Sequence, residues 1–182
     1  MKKRTYEERI GDAVDALYDG ALLLTGSRER AEALVLDVVV EGARAYQGGV
    51  RPTNMEKWIV ARLFRQAIEY ERENGGPDDA TVAVEAADAV LPDLTGQDPS
   101  RLDRIFRAAL LELPLLRRAA VWLVGAMGFS YAEGAGALGI ERGEFQALLY
   151  RARSEMQARL AVALRDGDAG ETNRLNDGSG SE

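Results

Sequence analysis

Three groups of side chains have the types and spacing to do chemistry. Glu32, Asp37 and Glu41 recur at intervals that bring carboxylates together on a helix, the layout of a metal site or an acid/base pair. Neither is expected, because the chain has no histidine and no second converging cluster. Around residues 142–154 a helical projection turns Phe145, Leu149 and Ala152 inward and leaves Gly143, Glu144, Gln146, Ala147, Tyr150 and Arg151 outward. On such a helix Gln146 can pair with an adenine edge, while Arg142, Arg151 and Arg153 can hold phosphates beside Tyr150. A third group sits on another helix, where Arg62, Arg65 and Arg72 can face phosphates or plain solvent. There Trp58, Phe64 and Tyr70 offer rings for unpaired bases. Trp58 and Tyr70 share the helix's apolar stripe and are expected in the core, and Phe64 lies beside it.

Composition excludes most alternatives. Without cysteine or histidine there is no disulfide framework, no thiolate, no usual general base and no common metal ligand, so no enzyme, metal site or cofactor is expected. The scattered glycines have no phosphate-loop spacing. The charged N-terminus, without an apolar run behind it, and the lack of any span-length apolar stretch lead to the expectation of a cytoplasmic protein with no membrane partner. Net charge is -7, but its distribution is uneven. Residues 1–72 carry 12 basic and 12 acidic side chains, and 101–165 carry 10 and 6. Residues 73–100 hold seven acids and no Lys or Arg. A basic segment inside an acidic chain fits a surface for nucleic acid or a merely solvated one.

Periodicity predicts an all-α protein of two small helical domains joined by an acidic linker. In the first domain, residues 1–73, three helices are expected. Ile10, Val14, Leu17, Ala21 and Leu24 mark one closed by Gly26, and Ser27 caps a second through Val38 to about Tyr46. Thr53 and Glu56 frame a capping box for a third with Trp58, Ile59, Leu63, Ala67 and Tyr70 on one side. Residues 74–100 read as an irregular connector with at most a short helical turn over 81–91. In the second domain, 101–165, a helix through Leu102, Ile105, Ala109 and Leu113 stops at Pro114, and another follows to Ala126, carrying Trp122 in its core face. Ser130 and Glu133 cap a short helix broken at Gly139, and a long helix starts near Arg142. A short helix, a glycine turn and a longer helix make a helix-turn-helix. The polar, glycine-rich tail 166–182 is expected to be disordered.

Leu113-Pro114, then Gly128-Phe129-Ser130-Tyr131-Ala132-Glu133, Ala137-Leu138-Gly139-Ile140 and Tyr150-Arg151-Ala152-Arg153 resemble, without a gap, the C-terminal domain of extracytoplasmic-function (ECF) sigma factors. Leu17-Tyr18, the helix Ala31–Val38, and Trp58 with Ile59 and Ile68 resemble that family's N-terminal domain. The resemblance covers roughly residues 10–164. It implies a transcription-initiation factor whose partners are core RNA polymerase and promoter DNA, with an anti-sigma factor as a further candidate partner. Its first domain would grip the polymerase clamp through Glu32, Leu34, Val35 and Asp37 and open the downstream promoter element. Its final helix would read the upstream element, and its linker would thread the polymerase cleft.

Departures from the family's pattern accompany the match. Where the family usually has Asp-Leu-Val-Gln-Glu, this chain has Ala33-Leu34-Val35-Leu36-Asp37, which implies a weaker or altered clamp contact. Where it commonly has Thr-Val-Lys-Ser-Arg, this chain has Glu144-Phe145-Gln146-Ala147-Leu148, placing an acid where phosphates lie. A helix that lacks one good bidentate pairing with a base forfeits about 1–3 kcal/mol of discrimination. Gly134 and Gly136 weaken the supporting helix by roughly 1 kcal/mol each in propensity. Two readings therefore stay open: a sigma factor with a degenerate recognition helix, or a sigma mimic that sequesters an anti-sigma factor without binding DNA.

Overall fold

The computed structural model describes residues 5–73 and 98–177, with side chains to Arg165. Among these residues every regular element is a helix. The connector expected over 74–100 lies outside the described residues as far as 97, and with it the short helical turn over 81–91.

The N-terminal domain holds four helices, not three: α1 (Tyr6–Gly11), α2 (Val14–Thr25), α3 (Arg28–Gln47) and α4 (Met55–Glu73). The stripe beginning at Ile10 is split because Thr5 and Glu8 form a reciprocal capping box that starts a separate α1. Ala13 then takes the buried position between the two helices, and Val14 is left exposed. Tyr6 ties α1 to α3 by donating its hydroxyl to the Val39 carbonyl at 2.8 Å. Burial raises the pKa of this phenol, opposed by the charge of Arg62 and assisted by that of Glu7. The ring fits because α3 carries Gly42 there. A Cβ at that position would stand 2.7 Å from Ile59 Cδ1 and would also meet the Tyr6 hydroxyl. Gly42→Ala is accordingly expected to cost about 1–3 kcal/mol by overpacking, read as a lowered denaturation midpoint.

Gly26, at φ 61°, ends α2, and the Ser27 hydroxyl accepts from Arg30 N–H to begin α3. The start of α4 differs from the expected Thr53 cap. Asn54 Oδ1 accepts the Lys57 N–H at 2.9 Å, one residue later, where the amide reaches the third helical position.

The C-terminal domain holds α5 (Pro99–Leu111), α6 (Leu115–Gly125), α7 (Tyr131–Leu138) and α8 (Arg142–Asp177). Asp98 caps α5 through the Ser100 N–H, with Pro99 at its first turn, so this helix begins two residues before the expected boundary at 101. The last helix runs on to Asp177, so the tail expected to be disordered is helical to that point. Arg117 lies 1% exposed within α6 and pairs with Glu155 of α8 at 2.8 Å. Arg159 closes the network by bonding both Glu155 and, at 2.9 Å, Glu112.

The two domains share one core. A continuous cluster of buried side chains joins Leu17, Ile59, Leu63 and Phe64 of the first to Ala119, Leu123 and Leu138 of the second. Apolar burial contributes about 25 cal/mol per Å² removed from water, so this shared surface favours the closed arrangement.

Candidate DNA and polymerase interfaces

The helix-turn-helix is held together by small, locally readable devices. The Ser130 hydroxyl accepts the Glu133 N–H while Glu133 accepts the Ser130 N–H at 2.7 Å, starting α7. Gly139, at φ 69°, lets the chain turn, and the Gly139 and Ile140 N–H groups both donate to Ala135 O. The angle of α8 against α7 is set by Phe145, whose ring lies on the bare backbone of Gly134. A Cβ at Gly134 would sit 2.8–2.9 Å from ring atoms Cε2 and Cε1. The poor helix propensity of Gly134 is thus offset by close approach, whereas Gly136 has open space around it.

With Phe145, Leu149 and Ala152 buried, α8 exposes Arg142, Gln146, Tyr150, Arg151 and Arg153 together with Gly143, Glu144 and Ala147. Tyr150 is 71% exposed. Of the five exposed candidates, Arg142, Gln146, Tyr150 and Arg153 follow one stripe of the helix and Arg151 projects about 100° further round, while two acids, Glu141 and Glu144, stand at its N-terminal end.

The second set of candidates is placed differently. Arg62 is half-buried, bonds Glu41 at 3.2 Å and lies over the Trp58 ring at 5.3 Å. Arg65 donates to Gly136 O of α7 at 2.6 Å, across the domain boundary. Phe64 is fully buried and stacks on Trp122 of α6, with ring centroids 5.2 Å apart. Tyr70, expected in the core, is 58% exposed although it shares the stripe of Ile59 and Leu63, because it stands in the last turn of α4, past Ala67 and Ile68 where the buried residues of that helix end. Trp58 and Trp122 are both half-buried against the core, not enclosed by it.

On α3, Glu32 and Asp37 are exposed, whereas Leu34 and Val35 are half-buried against the core. The apolar exposure on this helix comes from Leu36 and Val40, 64% and 41% exposed. Reading 3.6 residues per turn outward from Glu32 and Asp37 would have found them. A cavity of about 230 Å³ opens between α2, α3, α4 and the start of α6, lined by Leu34, Asp37, Tyr70 and Leu115 among others. Among the described residues no group of His, Cys, Asp or Glu could hold a metal ion, and no helix is long and apolar enough to cross a membrane.

Comparison with known proteins decides the family. Residues 103–156 match the family described as Sigma-70, region 4, which spans α5 to the first half of α8. Over 126 residues the chain is 32% identical to the ECF RNA polymerase sigma factor EcfG of Rhodopseudomonas palustris, covering 68% of this chain and 67% of that one. The chain belongs to the ECF sigma factor family. The sigma factor RpoE of Bartonella quintana, crystallised with the anti-sigma factor NepR, superimposes with a TM-score of 0.61 at 27% identity. That match covers 86% of this chain and 97% of RpoE. The anti-anti-sigma factor PhyR of the same organism, also crystallised with NepR, gives 0.47 at 16% identity over 84% of this chain and 49% of PhyR. The exposed face of α8 is therefore the last helix of an ECF-family helix-turn-helix.

One carboxylate of this family member sits at the junction of the domains. The Ser130 backbone N–H, the Lys57 ammonium and the Ser130 hydroxyl hold the Glu133 pKa down from 4.5 to about 2. Because its folded pKa lies below the unfolded one, the stabilisation is complete above the ordinary carboxylate value and is lost as pH falls toward about 2. Thermal melts at a series of acid pH values are expected to fall more steeply for the natural chain than for Glu133→Gln.

Proposed function

We propose that this chain binds core RNA polymerase through the exposed face of α3 and directs it to promoters, with α8 contacting the upstream promoter element. The observation that carries the reading is the grouping of Arg142, Gln146, Tyr150 and Arg153 on one exposed stripe of the helix that closes the family-matched segment. Phosphate contacts from Arg142, Arg151 and Arg153 would fix register, and Gln146, with an amide that both donates and accepts, would read an adenine. On α3, Glu32 and Asp37 supply charge, and Leu36 and Val40 supply apolar area beside the half-buried Leu34 and Val35. Arg62 and Arg65 would serve the downstream element.

Core polymerase reconstituted with this chain on sheared DNA of the source organism tests the reading, with transcript 5′ ends sequenced. Discrete start sites sharing an upstream sequence are expected. Gln146→Ala should lower output at those sites by about 5–150-fold, the worth of one good pairing with a base, without changing polymerase binding. Start sites no different from those of core enzyme alone would contradict the reading.

The acids at the head of α8 favour a second reading, in which the sigma architecture serves to sequester an anti-sigma factor. Glu141 and Glu144 would repel phosphates at the end of the helix that enters a groove. In either case an anti-sigma factor is a natural partner, given that the similar RpoE was crystallised with one.

A further inference from the structure

The cavity between α2, α3, α4 and the head of α6 has the size and lining of a small-ligand site. Its volume is about 230 Å³. A buried void of about 150 Å³ holds benzene, so this one takes a single ring with a short arm. Leu24 of α2, Leu34 of α3, Ala67 of α4 and Leu115 of α6 give it apolar walls, against which a ring gains in proportion to the area it removes from water. One polar group of the lining is left without a partner. Gln66 Oε1 is shut off from solvent and receives no hydrogen bond, and a buried acceptor without a donor is costly. Asp37 adds a second acceptor, since its exposed carboxylate lines the same cavity and forms no ion pair among the described residues. Glu71 brings another carboxylate and Arg30 a guanidinium. The occupant that suits this lining is a donor. An ammonium donates three hydrogen bonds and accepts none, whereas a carboxylate donates none and meets Asp37 and Glu71 with like charge.

We propose that this cavity binds a small primary amine carried on a single apolar ring, with the ring against Leu24, Leu34, Ala67 and Leu115 and the ammonium donating to Gln66 Oε1 and facing Asp37. Leu34 and Asp37 also belong to the face proposed to dock on polymerase, so an occupied cavity competes with that docking. The competition rests on the polymerase-binding reading of α3; the site itself does not.

Phenethylamine, phenethyl alcohol and hydrocinnamate carry the same ring with an ammonium, a hydroxyl and a carboxylate. Each is titrated into the full, isotope-labelled chain and followed by the NMR shifts of its backbone amides. Phenethylamine is expected to move the Leu34, Gln66 and Ala67 amides along one saturable curve. It should bind about tenfold or more tightly than hydrocinnamate, the worth of one hydrogen bond to a charged group, with phenethyl alcohol between them. Gln66→Leu keeps the volume and removes the acceptor, and should weaken the amine by about tenfold or more. Ala33 is exposed on the lining, so Ala33→Trp fills the cavity from the solvent side without entering the core and should abolish binding. Circular dichroism checks that each variant is helical, and Ala33→Trp decides alone if Gln66→Leu does not fold. Absence of saturable shifts at those amides, equal affinity for the amine and the carboxylate, or undiminished binding in the folded variants overturns the site.

The competition is read from polymerase binding by the natural chain with phenethylamine at about ten times its Kd. Binding should weaken by about tenfold, the mass-action factor for full exclusion. Binding unchanged by the amine overturns the competition. If chain and core enzyme fail to associate without the amine, the competition falls together with the reading of α3 beneath it, while the NMR titrations still decide the site.

Discussion

Glu155→Ala is expected to destabilise the C-terminal domain by about 3–5 kcal/mol, the cost of breaking a buried ion pair from one side. Arg117 is fully enclosed in α6, and its guanidinium donates to Glu155 at 2.8 Å. Removing the carboxylate leaves that cation in the core without this counter-charge, and Arg159 loses one of its two acidic partners. Replacing both sides at once, Arg117→Met with Glu155→Leu, removes the buried charges together and should cost far less, since the ions no longer need to be desolvated. Urea denaturation of the two variants checks this. Equal destabilisation by both would mean that side-chain volume, not charge, holds α6 to α8. The pair anchors α8 to α6 behind the turn proposed to contact DNA.

The second large effect is a contrast between two glycines two residues apart in α7. Gly134→Ala should destabilise by about 1–3 kcal/mol, because the added methyl meets the Phe145 ring and forces the head of α8 away. Gly136→Ala has open space and should stabilise by roughly 0.5–1 kcal/mol through helix propensity alone. Chemical denaturation distinguishes the two. The same signs for both variants would mean that Phe145 does not rest on the Gly134 backbone. If Gly134→Ala stays folded, weaker promoter output from it than from Gly136→Ala would tie the tilt of α8 to DNA reading.

Signals that act over one or two turns were legible in the sequence. Ser27, the Ser130 and Glu133 box, Gly26 and Gly139 stand where their capping chemistry requires. The inward and outward sides of α8 followed from the helical period. The Asn54 cap was hidden because neighbouring Thr53 has the same chemistry and a better-placed glutamate in sequence, and only the helix start distinguishes them. Contacts distant in the chain left little local trace. Phe64 looks marginal on its own helix, but α2 passes over it at Gly20 and Trp122 reaches it from the other domain. Arg117 reads as a surface charge until Glu155 is placed beside it, and Gly20 has a reason only once Trp122 is seated there. On α3, reading contiguous residues drew attention to Leu34 and Val35, although the helix turns Leu36 outward.

Docking of the exposed α3 face on core RNA polymerase, as proposed, is tested most directly by co-elution of the purified chain with core enzyme in size-exclusion chromatography. A stoichiometric complex is predicted for the natural chain, weakened by about fivefold or more in Asp37→Ala through removal of an interfacial charge. Core enzyme and chain eluting apart would contradict it, as would a complex indifferent to Asp37→Ala and to Leu36→Asp alike.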